Sequence, residues 1–171
     1  MKTNLSNLMN LVSEYERNLS IIDANLRSHV YTTTIEELDG KKNITEDFRE
    51  DFKNEFIEYN NLFEKIQIAK QTIASKNNEY KLSDGSTIAD ALITISLLRK
   101  KLRLVESFLN EKNSKHRITE VNNSYFESRE INFDSSAMKE LYNKLQGEIQ
   151  HLEFEISKLN SKEFEVLIDA N

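Results

Sequence analysis

The first thirty residues repeat an apolar side chain at alternating steps of three and four positions. The residues of this pattern are Leu5, Leu8, Val12, Tyr15, Leu19, Ile22 and Leu26. Such a heptad repeat places one narrow apolar stripe on one side of an α-helix, and the helix buries that stripe against a partner. We therefore predict a helix over about residues 4–28, roughly 37 Å long at 1.5 Å per residue.

The chain offers few places at which a helix would break. Its 171 residues contain no proline and three glycines. This composition favours long helices and disfavours a β-sandwich or barrel, which needs many turn residues. We predict a mainly α-helical single domain over residues 1–171, with long antiparallel helices arranged as a four-helix bundle or as helical hairpins and a small β-hairpin arm between the third and fourth helices.

Three further segments have helical apolar spacing, which predicts helices over about residues 46–77, 87–113 and 135–160. The stripe of the second helix is Phe48, Phe52, Phe56, Tyr59, Phe63, Ile66 and Ile73, and Leu62 and Ala69 widen it. The stripe of the third is Ile88, Leu92, Ile95, Leu98, Leu102, Val105 and Leu109. The stripe of the fourth is Met138, Leu141, Leu145, Ile149, Leu152, Ile156 and Leu159. The tail through Phe164 and Leu167 is a candidate extension of the fourth helix.

Polar residues mark the expected helix ends. Gly40 and its charged neighbours predict a connection between the first and second helices. Asn43 or Thr45 is the expected cap of the second helix, because a short polar side chain can accept a hydrogen bond from the first turn. Thr87, followed three positions later by Asp90, predicts a capping pair at the start of the third helix.

Residues 117–133 change from helical to strand-like spacing. Two short β-prone runs, 117–121 and 129–133, flank a polar stretch, which predicts a β-hairpin or an extended arm. Two strands alone are marginally stable, so we expect the arm to pack on a helix or on another subunit. The candidate residues for an oligomer interface are Ile118, Val121, Ile131 and Phe133.

Two motifs resemble a known family. Residues 82–87 read Leu-Ser-Asp-Gly-Ser-Thr and precede Ala91, Leu92 and a long helix. Residues 125–131 read Tyr-Phe-Glu-Ser-Arg-Glu-Ile and precede a leucine-rich last helix. Over nearly the whole chain, this arrangement resembles the septicolysin-like family of small bacterial proteins. The resemblance implies a helical fold and carries over no catalytic residue.

Composition excludes several classes of function. The chain has no cysteine, so disulfides, thiolate catalysis and sulfur-ligated zinc sites are excluded. No apolar run approaches the roughly 18 residues of a membrane span, so we expect a cytoplasmic protein with no membrane partner. The net charge of −6 argues against a strong general affinity for nucleic acid. We predict no cofactor.

The third helix contains the most basic stretch. Arg99, Lys100, Lys101 and Arg103, with Arg117 beyond the helix, form a candidate nucleic-acid or phosphate site. Cations near the C-terminus of a helix also stabilise the helix dipole, which is the structural explanation of the same pattern. The structural explanation is favoured, because the two arginines of the helix share one side and the two lysines point elsewhere.

A Glu-x-x-His motif lies on the fourth helix. Glu148 and His151, with Glu155 one turn further, have the spacing with which helical side chains converge on one metal ion. Di-iron bundles need two such motifs and two further glutamates, and this chain has one motif. A solvated helix face is the favoured interpretation, and metal binding is the alternative.

Together these patterns favour a non-enzymatic protein that self-associates into a homo-oligomer and has a structural or interaction role. A nucleic-acid-binding factor and a metal-dependent enzyme stay open as alternative hypotheses. The sequence identifies no ligand, oligomer number or pathway.

Overall fold

The computed structural model describes residues 1–121 and 123–168, which form four α-helices and three pairs of short antiparallel strands. In chain order the elements are β1 (Lys2–Asn4), α1 (Leu5–Ser28), β2 (Thr33–Glu36), β3 (Lys42–Glu46), α2 (Arg49–Glu79), α3 (Ile88–Leu109), β4 (Ser114–Thr119), β5 (Ser124–Arg129), α4 (Ser135–Asn160) and β6 (Glu163–Glu165). The protein is therefore mainly α-helical, as predicted.

The chain divides into two compact units. The first unit consists of Met1–Tyr80 and the residues from Leu159 onward, and the second unit consists of Lys81–Lys158. The single domain expected over residues 1–171 stays a prediction.

In the first unit, α1 and α2 pack side by side in opposite directions. The Nζ atom of Lys70 lies 2.6 Å from a carboxylate oxygen of Glu16, whereas at the other end His29 Nδ1 lies 2.9 Å from a carboxylate oxygen of Glu55. All seven residues of the predicted α1 stripe are buried or half-buried. The heptad pattern therefore identified the inward face of α1 correctly.

The C-terminal residues complete the core of the first unit. Val166 and Ile168 pack with Leu8, Val12 and Ala69 in one buried cluster. β6 pairs with β1. The candidate extension of the fourth helix through residues 164 and 167 is therefore wrong. Apolar residues at 164, 166 and 168 recur with period two, which places them on one side of an extended chain and not on one side of a helix.

The connection after α1 is a β-hairpin, which the sequence analysis did not predict. Thr34 pairs with Ile44, and Ile35 pairs with Asn43, across β2 and β3. The proposed helix caps at Asn43 and Thr45 are therefore wrong, since both residues belong to β3, and α2 begins at Arg49 without a side-chain cap. The β-branched residues in both segments favour the extended conformation.

The predicted stripe of α2 is only partly inward. Ile66 is buried, but Phe52, Phe56 and Phe63 are half-exposed. The buried residues of α2 are Ile66, from the predicted stripe, and Ala69, which widens it. A small residue such as alanine permits closer approach of two helices than a phenylalanine does, and the heptad spacing by itself does not distinguish the two.

In the second unit, the start of α3 is as predicted. The Thr87 hydroxyl accepts a hydrogen bond from the Asp90 backbone N–H at 3.1 Å, and the Asp90 carboxylate accepts one from the Thr87 N–H at 3.1 Å. This is a complete capping box. Gly85, with φ of +85°, provides the left-handed backbone conformation that the preceding turn requires.

The other end of α3 lies four residues earlier than predicted, at Leu109. The following residues lead into β4, and the side-chain carbonyl of Asn113 accepts a hydrogen bond from the Ile131 N–H at 2.8 Å. β4 and β5 pair antiparallel from Ser114↔Arg129 to Thr119↔Ser124. β4 thus begins three residues before the predicted run 117–121, and β5 begins five residues before the predicted run 129–133. Asn122, in the predicted turn, lies outside the described residues.

Candidate interaction surface

α3 has apolar residues on two opposite sides. Its inward residues are buried or half-buried, and they are Ile88, Ala91, Ile95, Leu98, Leu102, Val105 and Leu109. Leu92, which the sequence analysis placed in this stripe, is exposed instead. The next buried residue after Ile88 is Ala91, three positions further along, and not Leu92, four positions further along.

A second apolar line runs along the outside of α3. We call Ile93, Leu97, Leu104 and Phe108 the outward face; their exposed fractions are 62%, 59%, 54% and 37%. At about 100° per residue, these four side chains fall within an arc of about 60°, centred about 140° from the inward residues. The outward face is about 22 Å long. A helix that is apolar on both sides is usually covered on both sides.

Two lysines flank the outward face near its middle. Lys100 and Lys101 lie about 50° to either side of its centre line. Both are exposed, and neither takes part in the ion pairs found among residues 1–121 and 123–168. Their long methylene stems can cover apolar surface while the ammonium groups stay in water or meet acidic groups.

The outward face continues into a groove at its C-terminal end. The ring of Phe108 lies 6.0 Å from the ring of Phe133, centroid to centroid. Both rings line an open groove of about 460 Å³, together with Ile131 and Met138. The apolar surface of α3 therefore extends past the end of the helix.

The structure separates the four candidate interface residues of the β arm. Ile131 and Phe133 line the groove just described. Ile118 is half-buried in β4, opposite Tyr125 of β5. Val121 is fully exposed in the turn. These residues thus occupy three different environments and do not form one patch.

The five basic candidate residues are not gathered into one stripe either. Arg99 forms an ion pair with Glu153 of α4. Arg103 is exposed and lies about 110° from the centre line of the outward face. Arg117 belongs to β4, where its backbone is opposite Phe126. Of the five, the two lysines are the residues that flank the outward face.

Of the three metal candidates on α4, Glu155 is hydrogen-bonded to the turn before α3. Glu155 accepts a hydrogen bond from the Ser83 N–H at 3.3 Å, and hydrogen bonding from Ser83 holds the pKa of the Glu155 carboxyl below its usual value. His151 Nε2 lies 3.9 Å from a Glu155 oxygen, and Glu148 is exposed. In the described part of the chain, no three His, Asp or Glu side chains form a group that could hold a metal ion.

A second outward line, which the sequence analysis missed, lies on α2. Ile57 and Ile68 are about half-exposed, and the exposed Glu64 lies between them on the same side of the helix. Glu64 makes none of the ion pairs found in the described residues. The signal for this line was present in the sequence as steps of seven and four residues, but the stronger phenylalanine spacing obscured it.

No helix in the described residues combines the length and the apolar content that crossing a membrane requires. This finding agrees with the short apolar runs of the sequence.

Comparison with known proteins identifies a family. Residues 42–163 match the model of DUF6847, a family of unknown function. Among the curated proteins, none matches the chain. A solved structure, that of a functionally unknown conserved protein from Corynebacterium diphtheriae, is similar with a TM-score of 0.62. It is 18% identical in sequence, and the match covers 96% of this chain and 100% of that one. At this identity, the similarity shows the fold alone.

Proposed function

This chain belongs to DUF6847, a family of unknown function, and on that premise we propose that it is a non-enzymatic protein that self-associates through the outward face of α3. The heptad seams of the sequence favour the same class of function. Packing of the helices as a four-helix bundle, the cytoplasmic location and the resemblance to the septicolysin-like family stay predictions.

The observation that supports self-association is the exposure of four large apolar side chains on one line of a regular helix. Burying apolar surface stabilises a complex by about 25 cal/mol per Å². Single exposed apolar residues need no explanation, but an aligned row is typical of an interaction site. Leu97 and Leu104 lie at its centre and are each more than half exposed.

The test is the native mass of the purified protein by size-exclusion chromatography with light scattering. We expect a multiple of the 20.0 kDa chain mass for the wild type. The double variant Leu97→Asp/Leu104→Asp should run as a monomer, because it buries two charges at the centre of the contact. Leu38→Asp, a change at a fully exposed leucine of the β2–β3 turn, is the matched control and should keep the wild-type mass.

Circular dichroism of the double variant should match that of the wild type, since both leucines lie outside the core. A wild type that is monomeric at every concentration would refute the proposal. So would a double variant that is folded and keeps the wild-type mass.

The β arm is proposed to extend this interface at its C-terminal end. Ile131 and Phe133 line the groove that begins at Phe108, so they are adjacent to the outward face. Ile118 and Val121 lie apart from the groove and stay candidate interface residues of the arm. Val121→Asp should weaken association less than the α3 double variant, because Val121 lies at the exposed turn. The native mass of both variants at matched concentrations measures the difference.

Binding of nucleic acid or phosphate is the second candidate function. It is supported by Lys100, Lys101 and Arg103, which are exposed and make no ion pair among the described residues. Anisotropy of a labelled DNA duplex tests it. Binding that weakens steeply between low and high salt would support the hypothesis, whereas no binding at low salt would remove it.

A further inference from the structure

The outward line of α2 has a regular order of apolar and acidic residues. Ile57 is followed by Glu64 after seven residues and by Ile68 after four more. All three side chains are exposed and fall within an arc of about 40°. The order along the helix is therefore apolar, acidic, apolar, over about 17 Å.

The outward face of α3 and its two flanking lysines repeat these steps of seven and four residues, with a lysine in the place of Glu64. The pattern holds in both directions along the helix. Read forward, the residues are Ile93, Lys100 and Leu104. Read backward, they are Phe108, Lys101 and Leu97. In either direction the basic residue lies seven residues from one apolar residue and four from the other. Laid side by side in either direction, the two helices pair Ile57 and Ile68 with two apolar residues of the outward face and Glu64 with a lysine. The other two outward residues then meet Asn61 and Thr72.

We propose that the outward face of α3 in one copy packs against Ile57 and Ile68 of α2 in a second copy, with Glu64 facing a lysine. A parallel arrangement of the two helices brings Glu64 to Lys100, and an antiparallel arrangement brings it to Lys101. This inference rests on the self-association proposed above and names the surface that each copy presents to the other.

Charge argues against the simpler pairing of α3 with α3 of a second copy. An antiparallel pair centred between residues 100 and 101 would match the apolar residues. It would also place Lys100 of one copy beside Lys101 of the other. Like charges placed together across an interface destabilise it. The lysines therefore favour an acidic partner surface.

The distribution of charge over the chain supplies that acidic surface. Lys81–Lys158 contains twelve basic and twelve acidic residues, whereas the rest of the chain contains eleven basic and seventeen acidic ones. The net charge of −6 thus belongs entirely to the unit that carries α2. Attraction between this unit and the lysines of α3 in a second copy raises the rate of encounter and selects the register.

The experiment exchanges the charges between two variants. Glu64→Lys and Lys100→Glu/Lys101→Glu are each expected to weaken self-association at least about tenfold, because each places like charges together. When the two variants are mixed in equal amounts, the lysine introduced at position 64 of one faces the glutamates introduced at positions 100 and 101 of the other. We expect mixed oligomers to form with near wild-type affinity.

Sedimentation velocity with one variant fluorescently labelled measures the mixed species. Glu14→Lys makes the same change of charge in the same unit, at an exposed residue of α1, and it should leave association unchanged. Circular dichroism confirms that each variant is folded. All four residues to be changed are exposed, so the core is left intact.

The outcomes separate this inference from the proposed function. If the wild type and all charge variants associate equally while Leu97→Asp/Leu104→Asp is monomeric, self-association stands and the pairing with α2 is refuted. If the wild type is monomeric, both fail. If the lysine variant loses DNA binding or binding to anionic vesicles but keeps its native mass, the lysines serve a nucleic acid or a lipid surface and the inference is overturned. Restoration on mixing supports it.

Discussion

α1 and α3 are both long amphipathic helices, but they differ in how many of their apolar side chains are buried. The seam of α1 is buried or half-buried along its whole length, and α1 packs on α2 within the first unit. On its other sides the large apolar residue left well exposed is Ile21. α3 buries its inward residues equally well, yet it also presents the four exposed residues of the outward face.

The difference lies in how many apolar stripes each helix has to cover. A helix with one apolar stripe can bury that stripe against one neighbouring helix of the same chain. A helix with two opposite stripes can bury only one of them on a single neighbour, and in the proposed self-association a second copy covers the other. The variants below are expected to separate stability, which depends on the inward residues, from association, which depends on the outward face.

The largest effect is expected from a leucine of the α1 seam. Leu8 is fully buried in the cluster with Val12 and Ala69. Leu8→Ala should lower the free energy of unfolding by about 3 kcal/mol, because it removes buried methyl groups and leaves a cavity. Leu97→Ala on the outward face should cost less than about 1 kcal/mol. Urea unfolding at low protein concentration measures both.

Equal losses in these two variants would contradict the comparison. They would mean that the outward face is part of a core and not a surface for a partner.

A smaller effect is expected at the first turns of the two helices. The side chains of Asn4 and Thr87 cap α1 and α3, each by accepting a backbone hydrogen bond, at 2.8 Å and 3.1 Å. Asn4→Ala and Thr87→Ala should each cost about 1 kcal/mol, through the loss of that bond. Amide hydrogen exchange should become faster in the first turn of the altered helix alone. Faster exchange throughout both helices would show that the caps are not local.

The capping box also predicts a dependence of stability on pH. Hydrogen bonds from the side chain and backbone of Thr87 lower the pKa of Asp90 in the folded protein. Its contribution to stability is therefore present above the ordinary aspartate pKa of about 3.9 and is lost as the pH falls through the folded value. Asp90→Asn should flatten the loss of α3 stability below about pH 4. Unchanged slopes of exchange rate against pH would contradict this prediction.

The smallest effect is expected at the ion pair that joins α1 to α2. Lys70 falls where the heptad pattern asks for an apolar residue, and its Nζ atom lies 2.6 Å from Glu16. Both side chains are about half exposed, so Glu16→Gln should change the free energy of unfolding by no more than about 0.5 kcal/mol. Thermal unfolding at low and high salt checks it. A loss above 1 kcal/mol would assign this pair a larger part in joining the helices.

Local patterns in the sequence were enough to predict the four helices and the cap of α3. The absence of proline and the periodic apolar residues were enough to predict four helices with bounds close to those observed. The Thr87–Asp90 capping box was also predictable, because it involves residues only three positions apart. These features depend on interactions within a few residues, which the order of residues specifies directly.

Tertiary structure alone decided which apolar residues are inward. Phe56 of α2 and Leu92 of α3 have the spacing of core residues, yet both are exposed. Ala91, outside the predicted stripe of α3, is buried. The pairing of β1 with β6 joins the two ends of the described chain. A sequence with several apolar stripes specifies that partners are needed. Which stripe is covered depends on how closely the backbones approach and on contacts between distant residues, so only the folded chain reveals which stripe stays exposed.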